Sequence, residues 1–444
     1  MISRSNCLNA FRTASRYYST SIIKPKYTSL PSGLTIATQS DPNAKSSAIG
    51  LYFGTGSKYE NPYNNGVSSL IGNYFVNLNQ NDAAKFGSIL SFENSRESTG
   101  IISQSINPEQ SLSQLASFFN SPDFDSSLVQ SQAKLASKNA EIFESNYPKM
   151  VLEHLHSVAF QNSSLALPVN GTSDTLSTLQ SSDLEKFFKK NYFASNAVVV
   201  GAGNIAHETL VELAEKHFSL KEGLPEQPKP ASFLGSEVRM RDDTLPKAYI
   251  AIAAEGPAID SPDYYTALVA SSVFGSYLYS EPFYHNSGVK LASILTEYHV
   301  ADSYDHFSLS YKDSGLWGFV TETANIGNID DLIHFTLKEW NRLSISLTET
   351  EVERAKAHLS TKLFNQFNSP KNTASIIGKD IASGGRTATT AQIQHNIDAV
   401  SLSKIKNWAQ DALYDKDIAI SGTGQIEALL EYSRIRADMS MMRW

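Results

Sequence analysis

The chain has 444 residues, 41% hydrophobic and 18% charged, a makeup that supports at least two globular units with full cores and argues against a disordered chain. Its net charge of -8 disfavours general phosphate neutralisation, so nucleic acid is not an expected partner. It contains no run of the roughly 18 to 20 apolar residues needed to cross a bilayer, and membrane association is expected to go through partners.

Residues 1–18, "MISRSNCLNAFRTASRYY", contain Arg4, Arg12 and Arg16 and no acid; the first carboxylate is Asp41. On a helix the arginines fall along one side and Cys7, Ala10, Phe11 and Ala14 along another, although Leu8 lies among the arginines. This is the pattern of a mitochondrial transit peptide, and "RYYST" suits a cut between Tyr18 and Ser19. Cys7 is the only cysteine. A mature chain beginning at Ser19 therefore has no disulfide, thiolate zinc site, cysteine-ligated iron-sulfur cluster or cysteine nucleophile.

Two strand patterns, "GLTIATQS" and "SSAIGLYFGTGS", lead into "NPYNNGVSSLIGNYFVNLNQ", residues 61–80. Val67, Leu70, Ile71, Tyr74 and Phe75 recur there at helical spacing and predict a helix entered from a loop. A second helix is expected over "SSLVQSQAKLASKNAEIFES". The first histidine is His154, so nothing before it supplies imidazole. In "VLEHLHSVAF" His154 and His156 stand i and i+2, about 200° apart on a helix, and cannot share a metal as an i, i+4 pair can.

The chain repeats itself. Residues 183–205, "DLEKFFKKNYFASNAVVVGAGNI", align without a gap with residues 404–426, "KIKNWAQDALYDKDIAISGTGQI", pairing Gly201 with Gly422 and Gly203 with Gly424. Each reads as helix, buried strand and glycine turn into a final helix. "VVVGAGNIA" resembles a dinucleotide fingerprint, but it lacks the acid-tipped second strand and recurs in the other copy, so a turn glycine accounts for it better. "EVRMRDD", "KAYIAIAAEG" and "SPDYYTALVASSVFG" match the two strands and helix that open the chain. Between the copies, "KEGLPEQPKPAS", residues 221–232, has the composition of a semi-extended linker. In "YKDSGLWGFV" Ser314 is no nucleophile elbow; a strand with a glycine break is expected. Thr348 and Glu351 form a capping box before "VERAKAHLSTKLFNQF". The expected class is α+β: two homologous halves, each a largely antiparallel mixed sheet covered on one face by helices. The expected divisions are a transit peptide to residue 18, a first domain over 19–220, a linker over 221–232 and a second domain over 233–444.

Taken in order, the presequence, the duplicated halves, "ENPYNNGVSSLIGNYF", "EHLHSVAF", "FLGSEVRMRDDTLPKAYIAIAAEG", "SYKDSGLWGF" and the ending "IRADMSMMRW" resemble the pitrilysin-type mitochondrial processing peptidase family, over residues 19–444. Within it, the chain resembles the non-catalytic core-protein branch in complex III. Active members carry His-x-x-Glu-His on the helix that corresponds to residues 67–80, two imidazoles for zinc and a general base, with a more distant Glu as third ligand. The resemblance puts Ser69 and Asn73 at the histidine positions and Gly72 at the base. For the distal ligand, strict counting of the family spacing falls on Lys149, whereas anchoring on "EHLHSVAF" gives Asn139, with Glu141 and Glu144 nearby. The anchored placement is preferred.

The resemblance therefore implies no catalytic residue, no bound metal and no cofactor: no haem, iron-sulfur centre or quinone site. It implies a peripheral subunit on the matrix side of the mitochondrial inner membrane that supports assembly and stability of ubiquinol-cytochrome c reductase. The implied partners are a core protein 2 homologue as heterodimer partner, cytochrome b and cytochrome c1, and the resemblance leaves open contacts with a neighbouring respiratory complex. The alternative is a non-catalytic subunit of a processing peptidase; its substrate-binding chain carries a glycine-rich loop, where residues 274–291 have only scattered glycines. Gly72 is unfavourable in a helix, so a Glu there is expected to gain about 1 kcal/mol of propensity unless Gly72 packs closely against a neighbour.

Overall fold

Strands rich in Val, Ile, Ala and Gly build two six-stranded sheets in the computed structural model, which describes residues 24–285, 287–384 and 388–441. The expected presequence and the cut before Ser19 lie outside the described residues. The first sheet contains β1 (Lys26–Ser29), β2 (Thr35–Ser40), β3 (Ser47–Phe53), β4 (Ile89–Asn94), β5 (Thr99–Ser105) and β6 (Ala197–Gly203), ordered β1-β2-β6-β3-β5-β4. The second contains β7 (Glu237–Arg241), β8 (Ala248–Gly256), β9 (Ser276–Leu278), β10 (Ser303–Ser310), β11 (Gly315–Thr323) and β12 (Ile418–Gly424), ordered β7-β12-β8-β11-β10-β9.

Five strands recur in the same order in both sheets, and each sheet adds one strand at the opposite edge. In both copies a single pair is parallel, β2 with β6 and β7 with β12. The matching glycines do matching work. Gly203 and Gly424 adopt φ of +91° and +93°, a region that favours glycine, and their carbonyls accept from Ile205 (2.8 Å) and Ile426 (2.9 Å). These glycines turn the chain, as the repeat predicted.

The first half carries α1 (Val67–Lys85), α2 (Pro108–Asn120), α3 (Ser126–Glu144), α4 (Tyr147–Ala159), α5 (Ser173–Thr178), α6 (Ser181–Asn191) and α7 (His207–His217). The second carries α8 (Tyr264–Phe274), α9 (Pro282–His285), α10 (Lys290–Tyr298), α11 (Ile329–Ile345), α12 (Glu349–Phe364), α13 (Pro370–Gly384), α14 (Thr390–Asp398), α15 (Leu402–Ala412) and α16 (Tyr432–Met441). The Thr348–Glu351 box caps α12 as expected.

The halves exchange helices. Most helices pack on their own sheet, but the opposite face of each sheet takes one from the other half. Val151, Leu155, Val158 and Ala159 of α4 pack with Ala251, Ala253, Leu316 and Ala419 of the second sheet. Ala374 and Ile377 of α13 pack with Ala37, Ala48, Ile102, Val198 and Val200 of the first. Coverage on both faces explains why β3, β6 and β12 are buried at every position and read as continuous apolar runs. The expectation of one covered face is incomplete for this reason. Tyr52 pins α13 in place: its ring lies where a Cβ at Gly100 or Gly378 would project, and its hydroxyl donates to Glu93 (3.2 Å). Glu93 also takes Lys379 of α13 (2.9 Å) and the Ser375 hydroxyl.

Two outcomes follow from this packing. A mature chain cut within residues 221–232 is expected to reassemble when both pieces are co-expressed and to aggregate when either is made alone, because each piece then lacks the helix covering one apolar sheet face; co-purification and the cooperativity of thermal melts check this. The second concerns His306, buried between Phe274 (4.7 Å) and Trp317 (4.2 Å) with neither ring nitrogen partnered among the described residues. Burial pushes its pKa well below the ordinary value, so the unfolded chain takes up a proton that the folded chain refuses, and stability falls as pH drops below about 6.5. His306→Phe is expected to stabilise the protein by about 1 kcal/mol at neutral pH, and by more at pH 5.5. Denaturant unfolding followed by fluorescence reads this core directly, since Trp317, Trp340 and Trp408 all lie in it.

Candidate functional site

The loop before α1 is wrapped around one buried carboxylate. Glu60, 3% exposed, accepts from the Gly66 amide (2.7 Å), the Ser68 amide (2.8 Å), the Ser68 hydroxyl (2.6 Å) and Asn65 Nδ2 (2.9 Å). Gly66, at φ +92°, offers no capping side chain, so Glu60 satisfies the free amides at the helix start. Burial pushes its carboxyl up, opposed by those donors. Asn65 Nδ2 also donates to the Pro168 carbonyl (3.0 Å), tying the loop to the chain before α5.

From that start α1 buries Val67, Leu70, Ile71, Tyr74 and Phe75, as the periodicity predicted. Ser69 and Asn73 share one face, one turn apart. Asn73 is exposed and donates to the Ser69 carbonyl (2.9 Å), with Ser69 Oγ at 3.4 Å. Gly72 is buried beneath Phe92 of β4: a Cβ added there would overlap ring atoms Cδ2, Cε2 and Cζ. This overturns the expected gain from Glu at position 72, because packing and not propensity decides there. The sequence reading missed Phe92. A glycine inside an apolar helix was the available signal for such a close neighbour.

Asn139 is exposed on α3. That helix joins α1 through Asn77 Nδ2 and Gln132 Oε1 (2.7 Å), and Asn139 lies two turns beyond Gln132 on the same side. Of the nearby carboxylates, Glu144 is engaged by the Ser173 amide (2.9 Å) and hydroxyl (3.0 Å) at the start of α5, and Glu141 is exposed. Lys149 sits apart, in the first turn of α4. No group of three or more His, Cys, Asp or Glu among the described residues is placed to hold a metal ion.

The structure separates His154 and His156. His156 is 1% exposed, its Nδ1 facing the Leu152 carbonyl (2.7 Å) and its Nε2 the Tyr311 hydroxyl (2.7 Å); burial and the nearby Arg96 charge hold its pKa well down. It joins α4 to the second half as a neutral ring. His154 lines a hollow of about 650 Å³ on the other side. Ser314 closes a hairpin turn between β10 and β11, where Tyr311 donates to its carbonyl (2.8 Å), and its hydroxyl donates to Glu255 (3.0 Å). The expected glycine break is instead this turn, with Gly315 opening β11. Residues 274–291 hold β9, α9 and the start of α10 around Gly275 and Gly288.

A buried ionic seam, with no sequence signal of its own, joins the halves. Lys58, 4% exposed, pairs with Glu97 (2.8 Å) and Asp313 (2.6 Å). Burial works against its charge, but those two carboxylates raise its pKa. Glu97 also accepts from the Lys312 amide with both oxygens (3.0 Å each). Arg96 pairs with Glu153 of α4 (2.5 Å) and donates to the Leu165 carbonyl (3.1 Å).

Comparison with known proteins bears on this arrangement. Residues 35–173 match the family model described as insulinase, peptidase family M16, and residues 178–359 match the M16 inactive domain. The chain is 48% identical over 442 residues to "Cytochrome b-c1 complex subunit 1, mitochondrial" of Saccharomyces cerevisiae, covering 97% of both. It is 35% identical to "Mitochondrial-processing peptidase subunit beta" of Lentinula edodes, covering 93% of this chain and 92% of that one. A chain in the structure of complex III2 from Candida albicans, solved with Inz-5 bound, is 40% identical, with a TM-score of 0.88 over 94% of this chain and all of that chain. With a doubled fold and relatives that span nearly its whole length, the chain belongs to peptidase family M16.

Proposed function

We propose that the chain is a non-catalytic core subunit of respiratory complex III, needed for assembly and stability of ubiquinol-cytochrome c reductase. The observation that carries the loss of catalysis is the packing of Gly72 under Phe92, which fills with an aromatic ring the space a general base on α1 needs. Ser69, Asn73 and Asn139 stand, on this reading, where the family's zinc ligands would be. Hydroxyl and amide side chains are poor substitutes for imidazole and carboxylate at a catalytic zinc. The complex III role is supported by the yeast relative's name and by the likeness to a complex III chain. Its partners on this reading are a core protein 2 homologue and the cytochrome b and cytochrome c1 subunits.

The same proposal places the chain at the mitochondrial inner membrane, peripheral and on the matrix side. No helix among the described residues is long and apolar enough to cross a membrane, which suits attachment through partners; the family resemblance supports the matrix face. The likeness to a processing peptidase beta subunit favours the second reading, a subunit of that peptidase.

Deleting the protein separates the two. A core subunit is expected to take with it most assembled complex III and quinol-dependent cytochrome c reduction, while presequences of other imported proteins are still removed. Accumulated precursors beside normal complex III would instead support the peptidase reading. The site is tested by Ser69→His, Gly72→Glu and Asn73→His together. This variant is expected to bind no stoichiometric zinc, to cleave no presequence peptide, and to lose about 1 to 3 kcal/mol because the side chain introduced at position 72 displaces Phe92. Adding Phe92→Ala should return part of that loss. Metal analysis after dialysis, a cleavage assay and thermal melts read the three effects, and chelator-sensitive cleavage would refute the assignment.

A further inference from the structure

The sequence has two Asn-Gly pairs, Asn65–Gly66 and Asn170–Gly171, and the fold sets them back to back. Both glycines have positive φ, +92° and +77°. A Cβ at Gly66 would lie 3.0 Å from Gly171 Cα and 3.1 Å from the Asn170 carbonyl oxygen, and one at Gly171 would lie 2.7 Å from Gly66 Cα. The contact is main chain against main chain. It joins the loop held by Glu60 to the turn before α5.

Asn followed by Gly is prone to lose its side-chain amide, because a glycine without Cβ leaves its main-chain nitrogen free to approach the Asn side chain. That nitrogen gives its proton to solvent base and bonds to Asn Cγ, while the side-chain nitrogen takes up a proton and leaves as ammonia. Water then opens the cyclic imide at either carbonyl, giving Asp or isoaspartate, in which the main chain runs through Cβ. The two pairs offer this chemistry opposite surroundings. Asn65 is 2% exposed; its Nδ2 donates to Glu60 (2.9 Å) and to the Pro168 carbonyl (3.0 Å), and the Gly66 amide donates to Glu60 (2.7 Å). A carboxylate on that amide opposes loss of its proton. Asn170 is exposed, its side chain has no hydrogen-bond partner among the described residues, and the Gly171 amide makes only a long bond to the Pro168 carbonyl (3.4 Å).

We propose that Asn170 is a site of spontaneous deamidation in the folded protein, through a cyclic imide with Gly171, while its twin Asn65 is protected. Reaction at Asn65 has to wait for the loop before α1 to open, which slows it by the opening equilibrium. The isoaspartate product at position 170 also acts on the fold. It adds one carbon to the main chain next to Gly171, where Gly66 leaves no room even for a Cβ. The modified turn therefore pushes on Gly66 and loosens the start of α1, which Glu60 holds through the Gly66 and Ser68 amides.

The test holds the full folded chain in mildly alkaline, heavy-oxygen water and follows both Asn-Gly peptides by mass spectrometry, with fragmentation that separates Asp from isoaspartate. The expected result is oxygen-labelled Asp and isoaspartate at position 170, and conversion at position 65 slower by on the order of a hundredfold. In urea the two positions should react at similar rates. Asn170→Ala removes the site without straining the turn, since Asn170 is not among the residues with positive φ; the aged wild-type protein is expected to contain a lower-melting fraction that the equally aged variant lacks. An Asn170 that survives in the folded chain for as long as the unfolded chain takes to convert would overturn the proposal, as would labelled Asp without isoaspartate, or an Asn65 that converts as fast as Asn170 before unfolding. Isoaspartate at position 170 with an unchanged melt would overturn the coupling to α1.

Discussion

The exchange of α4 and α13 between the two sheets is the constraint on which the rest depends. Each sheet has an apolar face that only the other half can cover. The interface between halves is thus built like a core, and is not the polar, mobile contact usual between domains in one chain. The ionic seam lies at the same junction: Lys58 reaches Asp313 and Glu97 takes the Lys312 amide across it, while Arg96 with Glu153 is a pair within the first half. Buried pairs of this kind add little net stability, but removing one partner typically costs about 3 to 5 kcal/mol. Their effect is to make one relative placement of the halves far better than its neighbours.

That rigidity explains how a peptidase fold can lose its chemistry and keep its shape. The helix α1 is fixed from below by Val67, Leu70, Ile71, Tyr74 and Phe75 and from its start by Glu60. None of these anchors is a position that the family uses for zinc. Ser69 and Asn73, which the proposal puts at two of the family's zinc positions, are joined by a local bond on their own helix, and Asn139, the proposed third, is exposed on α3. Phe92 of the strand beside α1 lies over Gly72, in the space a side chain at that position would take.

Much of this was legible in the chain. The helix over 67–85 follows from five apolar residues at the right spacing, the start of α12 from Thr348 and Glu351, and the duplicated strand and turn from Gly203 and Gly424, which take nearly the same φ. These are local facts, written within a few residues of one another. The helix exchange was not legible, because an amphipathic helix shows that it has a buried face but not which sheet receives it. Lys58 and Asp313 are hundreds of positions apart and sit in no motif. Phe92 was half legible: Gly72 announced a close neighbour without naming it.

The placement of α13 also sets an order of events in time. Domains of a longer chain generally fold as units, one after another. Here the first sheet is complete in strands by Gly203, yet its second face stays open until Ala374 and Ile377 arrive. Until then the strands bearing Ala37, Ala48, Val198 and Val200 lack the helix that covers them in the finished fold. The first sheet therefore cannot finish its core before α13 of the second half is in place, so the same helix that locks the finished protein makes the two halves complete their folding together.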